Sequence, residues 1–232
     1  MDAKERILDA AMAVFAQFGY RRSSMEAVAQ EAGLTRQALY HHFSSKEALF
    51  RAVVETLHAD AYAAEAAAGL EQERSGRSLA DILAAQIDAR FRYILDCVVT
   101  SPQAEELLSE HQLRTRDLYR SFIEHNIGLR VETIERVCAV QGIALREGMT
   151  ARELARCIQI AIRGFDVLKP KANALQDLDR MVRLLVAGAT ESPASRSTSK
   201  DHEAVDEHRD SQRSRREPAR GSRGSARRRA AG

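Results

Sequence analysis

The chain has 232 residues, of which 44% are hydrophobic and 29% charged, with four Pro, no Trp and a formal net charge of +2; that is an ordinary globular composition, with enough chain to bury a core. No apolar run approaches membrane-spanning length, and the first residues, MDAKERILDA, lack the basic-then-apolar order of a signal peptide, so no membrane partner and a cytoplasmic location are expected. There is no G-x-S-x-G, no phosphate loop, no glycine fingerprint and no paired Cys/His spacing, so neither catalysis nor a metal or cofactor is expected.

Cys97, Cys138 and Cys157 form no CxxC pair and read as buried thiols in a reducing compartment. The charge is unevenly spread. From Ser192 to Gly232 there are 11 Lys+Arg against 6 Asp+Glu, which leaves 24 against 27 for the preceding 191 residues. Val205 and two prolines are the only apolar side chains larger than Ala in that tail, so residues 191–232 read as disordered, Ser/Arg-rich chain.

Up to about Thr190 every apolar repeat has helical spacing and none alternates convincingly at period two, which predicts an all-α protein. The expected helices are 3–18, 24–31, 35–42, 45–67, 78–99, 102–110, 112–141, 150–168 and 174–189. In the first, Ile7, Ala11, Val14, Phe15 and Phe18 line one face and Gly19 supplies the stop. Capping boxes are read at Ser23–Glu26, Ser44–Glu47 and Thr150–Glu153, with a weaker one at Ser78–Asp81. Pro102 is expected at a first helical position.

The second and third helices are short and joined through Glu31-Ala-Gly-Leu-Thr35, which describes a helix-turn-helix. Met25, Val28, Ala29 and Ala32 give the second helix its buried face. On the third, Arg36, Gln37, Tyr40 and His41 fall within one arc of about 140°, while Leu39, His42 and Phe43 form the anchor side. Arg36 can fork onto guanine and Gln37 can pair with adenine, both from the helix N-terminus that a recognition helix presents to base edges. Tyr40 and His41, one turn later, can donate to phosphates. Lys46, in the first turn of the next helix, joins a positive charge to free backbone N–H groups, and Ser23 and Ser24 offer the same opposite. Singly, Arg36 and Gln37 read as a solvated face, Tyr40 as a half-buried aromatic and His42 as a packed core histidine. A metal site at His41 and His42 fails, because helix neighbours diverge by about 100°.

Taken together, ILDAAMAVFAQFGY followed by SSMEAVAQEAGLTRQALYHHFSSKEALF, within about Arg6 to Leu57, resembles the DNA-binding domain of TetR-type transcriptional regulators. The resemblance implies a homodimer on double-stranded DNA, at a palindromic operator. Bases would be read from Thr35, Arg36, Gln37 and Ala38, with phosphate contacts from Ser23, Ser24, Tyr40, His41 and Lys46. It divides the chain into a helix-turn-helix domain at 1–47 and a helical effector-binding and dimerisation domain at 48–190. The later helices are expected to hold a small-molecule effector. Candidate lining residues are Phe91, Ile94, Leu95 and Val98 with Tyr119, Phe122, Ile123 and Ile127. Leu154, Cys157, Ile158, Ala161, Phe165 and Leu168 form one late stripe and Leu175, Leu178, Val182, Leu185 and Ala189 another, the candidate dimer faces unless they cover their own core. Glu105, Glu106, Glu110, His111, Glu124 and His125 read as a solvated face. The expected function is a ligand-responsive repressor. An effector-independent architectural DNA-binding protein and a helical ligand-binding or enzymatic protein are the alternatives.

Overall fold

A computed structural model describes residues 2–98, 101–164 and 173–191. Among them lie nine helices, α1 (Ala3–Arg22), α2 (Met25–Glu31), α3 (Arg36–His42), α4 (Lys46–Arg74), α5 (Leu79–Val98), α6 (Ala104–Arg114), α7 (Arg116–Gln141), α8 (Ala151–Arg163) and α9 (Ala174–Ala189). The only extended pairing among the described residues is an isolated bridge between Leu145 and Thr190. None of these helices is long and apolar enough to cross a membrane. Residues 1–190 form one compact unit. The tail expected to be disordered, Phe165 and Leu168 all lie outside the described residues, as does any extension of α8 to 168.

The caps follow local chemistry and correct three expectations. Ser24, not Ser23, caps α2 by accepting from the Ala27 N–H, and Ser45, not Ser44, caps α4 by accepting from Ala48. In both Ser-Ser pairs the second serine carries the extended backbone next to the helix. Pro102 precedes α6, whose N-cap is Gln103. The boxes at Thr150–Glu153 and Ser78–Asp81 form as read, and Asp2 with Glu5 adds one that was missed. Gly19 takes φ +79 inside α1, whose hydrogen bonding resumes as far as Arg22. The backbone conformation is what requires glycine there; the nearest atoms to a Cβ at that position, 2.6–2.9 Å away, are the mobile end of the Glu106 side chain.

Two apolar cores result. The first joins Ile7, Ala11, Val14 and Phe15 of α1, Val28 of α2, Leu39 of α3 and Leu49, Phe50, Val53 and Val54 of α4. Within it Phe15, Tyr20 and Phe50 pack with ring centroids 4.9–5.9 Å apart. The second is built from α5, α7, α8 and α9, around Ile82, Leu83, Ile87, Ile134, Leu154, Ile158 and Val182. The 29-residue α4 feeds the first core, and its later turns pack along α5.

Candidate nucleic-acid interface and inner cavity

The turn between α2 and α3 closes through its own carbonyls. Leu34 N–H donates to Ala29 O at 2.8 Å and Gly33 N–H to Gln30 O at 3.1 Å, with Gly33 at φ +66, which satisfies the end of α2 in the Schellman pattern. Thr35 then caps α3, its hydroxyl accepting from the Ala38 N–H at 3.2 Å. Leu39, fully buried, and Phe43 hold α3 against the core. Arg36, Gln37, Tyr40 and His41 are all exposed, Thr35 is exposed and Ala38 half-buried. The Arg36 guanidinium lies 5.5 Å from the Tyr40 ring centroid. The Tyr40 hydroxyl raises the Arg36 pKa further, so the cation is permanent. His42, expected in the core, is exposed: α3 is only seven residues long, and Leu39 and Phe43 suffice to anchor it.

Two expected phosphate contacts have other work. Ser23 is buried and its hydroxyl donates to Tyr20 O at 2.7 Å, which removes it from the exposed surface; Ser24 stays exposed. The Lys46 ammonium donates to Tyr20 O at 2.8 Å, Ser23 O at 3.0 Å and Arg21 O at 3.3 Å. It also sits 4.5 Å over the Tyr20 ring. Burial, and then the nearby Arg114 charge, push its pKa down. Lys46 therefore ties the start of α4 to the α1–α2 junction.

A second cluster braces that junction from α6. Arg21 N–H donates to Glu106 at 2.7 Å, and the Arg21 and Arg114 side chains donate to Glu110 at 2.9 and 2.7 Å. Arg114 also lies 4.2 Å from the Tyr20 ring centroid. Glu110 is 2% exposed. Burial alone would raise its pKa, yet hydrogen bonds from Arg21 and Arg114 hold the carboxyl below the usual range. The reading of Glu106 and Glu110 as a solvated face is thus corrected: these carboxylates join α6 to α1. Their partner Arg21 lies 85 and 89 residues away in sequence, so no local pattern announces the contact.

Between α1, α4, α5, α6, α7 and α8 lies a cavity of about 400 Å³. Of the expected lining, Phe91, Ile94, Val98, Tyr119, Phe122 and Ile123 border it; Leu95 and Ile127 do not. Ile127 turns into the second core instead. Residues not foreseen complete the wall, among them Met12 and Phe15 of α1, Phe50, Leu57 and His58 of α4, and Leu107 and His111 of α6. His58 stacks on Phe122 at 4.0 Å and faces His111 with the two Nε2 atoms 3.4 Å apart. Burial first, then the charge of Arg90, lowers the His58 pKa to about 3, and burial lowers that of His111. One end of the cavity is polar, lined by Arg90, Asn126, Arg130 and Gln159.

The late stripes divide by face. Leu154, Ile158, Leu178 and Val182 are at most 6% exposed, packed in their own chain's core, so they have no surface left for a partner; Ala161 and Leu185 are half-buried. The outward apolar residues are Ile160 and Met181, with Leu184 at 73% exposure, and Cys157 beside them is exposed rather than buried.

Residues 7–53 match the family model described as bacterial regulatory proteins, tetR family. The chain is 27% identical over 157 residues to the uncharacterised HTH-type transcriptional regulator YerO of Bacillus subtilis (strain 168), a match covering 62% of this chain and 53% of that protein. It is 28% identical over 184 residues to the HTH-type transcriptional repressor ComR of Escherichia coli (strain K12), covering 69% and 87%. The chain thus spans about half the length of the first of these relatives. A crystal structure of a transcriptional regulator from Rhodococcus sp. Rha1 shares the fold, with a TM-score of 0.59 at 20% identity over 83% of this chain and all of that one.

Proposed function

This chain belongs, through residues 7–53, to the tetR family of bacterial regulatory proteins, and from that premise we propose that it is a dimeric, ligand-responsive cytoplasmic repressor that reads a palindromic operator with α3. The observation that carries the reading is the exposed arc of Arg36, Gln37, Tyr40 and His41 above the buried Leu39. Arg36 and Gln37, with Thr35 and Ala38 beside them, meet base edges in the major groove. Ser24, Tyr40 and His41 hold phosphates, and Lys46 acts indirectly, by fixing the α1–α2 junction. The name of the relative ComR supports repression as the mode.

Selection of genomic fragments on the purified chain at physiological salt tests this. Wild type enriches a short palindrome. Arg36→Ala binds it roughly tenfold or more weakly and loses preference at one base position, while its affinity for random DNA stays close to wild type. Equal loss on specific and random DNA would show that Arg36 does not read sequence.

Dimerisation runs through the outward face of α8 and α9, where Ile160 is 67% exposed and Leu184 73%. Exposed apolar side chains on both of these helices favour a four-helix interface with a second copy. Ile160→Glu with Leu184→Glu is expected to turn a dimer into a monomer in sedimentation and to abolish two-half-site binding; an unchanged mass would place the interface elsewhere.

The cavity is the effector site, and α6 is the transmitting element. One side of α6 lines the cavity with Leu107 and His111, and another holds Arg21 through Glu106 and Glu110. An occupant that shifts α6 therefore moves the brace on α1 and with it the orientation of α3.

A further inference from the structure

The polar end of the cavity has more buried positive charge than the chain itself balances. Arg90, Arg130 and the exposed Arg163 line the cavity and no carboxylate does, so the buried charge there is that of Arg90 and Arg130. Arg90 is 9% exposed and Arg130 2%. A single buried carboxylate, Glu65, lies between them, 3.7 Å from Arg90 Nη1 and 3.8 Å from Arg130 Nη2, distances too long for hydrogen bonds. Glu65 Oε2 and Arg130 Nε have no hydrogen-bond partner. The neighbouring contacts are neutral: Arg90 Nη1 donates to Asn126 Oδ1, its guanidinium lies 4.8 Å from the Tyr62 ring centroid, and Arg130 Nη1 donates to Gln159 Oε1 at 2.9 Å. Two guanidinium groups thus share one loosely held carboxylate where burial penalises unbalanced charge. Burial first, and also the Arg90 charge, drives the Arg130 pKa downward despite the opposing pull of Glu65.

We propose that the effector is an amphiphile with an apolar body and one carboxylate-type head, which docks on the guanidinium groups of Arg90 and Arg130. The inference rests on the reading of the cavity as the effector site. The head supplies the missing negative charge and an acceptor for the unpaired guanidinium N–H. The body lies against Val54, Leu57, Phe91, Ile94, Phe122 and Ile123. A cationic head would meet like charge, and a neutral one would leave the excess unbalanced.

Calorimetric titration of the full chain with decanoate, decanol and decylammonium at pH 7.5, each below its micelle concentration, tests the proposal. Decanoate is expected to bind at least tenfold more tightly than decanol, with decylammonium weakest. Arg130→Met removes the preference for decanoate. Glu65→Gln, which frees both guanidinium groups from their internal counterion, tightens decanoate several-fold and leaves decanol unchanged, a gain that a merely structural role would not produce. If Arg130→Met does not fold, Glu65→Gln carries the test by itself. Equal binding of decanoate and decanol overturns the anionic head while the effector cavity stands. Failure of all three to bind overturns the cavity as an effector site as well.

Discussion

Leu39→Ala is expected to lower the unfolding free energy by about 2–5 kcal/mol and to abolish binding to every DNA sequence. Leu39 is fully buried, the one buried side chain within the seven residues of α3. Truncating it leaves a void between α3 and the core of α1, α2 and α4, and a helix of two turns has no other inward contact of that size before Phe43. Urea unfolding at pH 7.5 reads the stability loss, and fluorescence anisotropy with operator and random duplexes reads the binding loss. Arg36→Ala is the contrasting variant, since it leaves the fold intact and alters sequence preference alone. A Leu39→Ala protein destabilised by less than about 1 kcal/mol would mean that the neighbouring side chains collapse into the void and that α3 is anchored elsewhere.

The second large effect is acid lability centred on His58. Its ring on α4 is packed against Phe122 of α7 and His111 of α6, with the Arg90 charge on α5 close by. Folding lowers its pKa from 6.5 to about 3, through burial first and then Arg90 and His111. The fold therefore holds the neutral ring, and the unfolded chain takes up the proton. The stabilisation is complete above pH 6.5 and is lost progressively as pH falls from 6.5 toward 3. At about 1.4 kcal/mol per pH unit, stability drops by about 2 kcal/mol between pH 7 and pH 5. His58→Phe retains an aromatic ring against Phe122 and removes the titration, so its stability should be flatter over that range by the same amount. An equal drop in wild type and variant, followed by urea unfolding at both pH values, would assign the acid sensitivity to other groups.

The parts of this protein legible in its sequence are those whose cause is local. Helical periodicity, the Gly-containing turn before Thr35 and the donor-rich arc of α3 each depend on residues within about one turn of one another, and each is found where the spacing puts it. In the doubled serines either hydroxyl could cap from sequence alone; the structure puts the cap at Ser24 and Ser45, each extended directly before its helix. Leu154, Ile158, Leu178 and Val182 have the correct period for a buried face, but a period does not say whether the covering surface is the same chain or another copy.

The charged clusters lay furthest from view. Arg21 with Glu110, and Glu65 with Arg90 and Arg130, are separated by 25 to 89 residues, and each side chain alone looks like surface. One local sign was present. Ala61, Glu65 and Gly69 recur every fourth residue along α4 and are all buried, so a carboxylate set among small residues on an inward stripe already required a cationic partner.

The unbroken length of α4 has a mechanical consequence. Its 29 residues make a rod of about 44 Å at 1.5 Å per residue. Its first turns belong to the reading head, and Leu57 and His58, roughly midway, touch the cavity. A rod pivoting at its far end by only about 5° carries its tip sideways by about 4 Å, more than one base-pair rise along DNA. In a dimer the two tips would move in opposite directions, so a shift of about 2 Å where Leu57 and His58 meet the cavity becomes a change of about 8 Å, roughly two base-pair rises, between two heads that must seat about one helical turn apart.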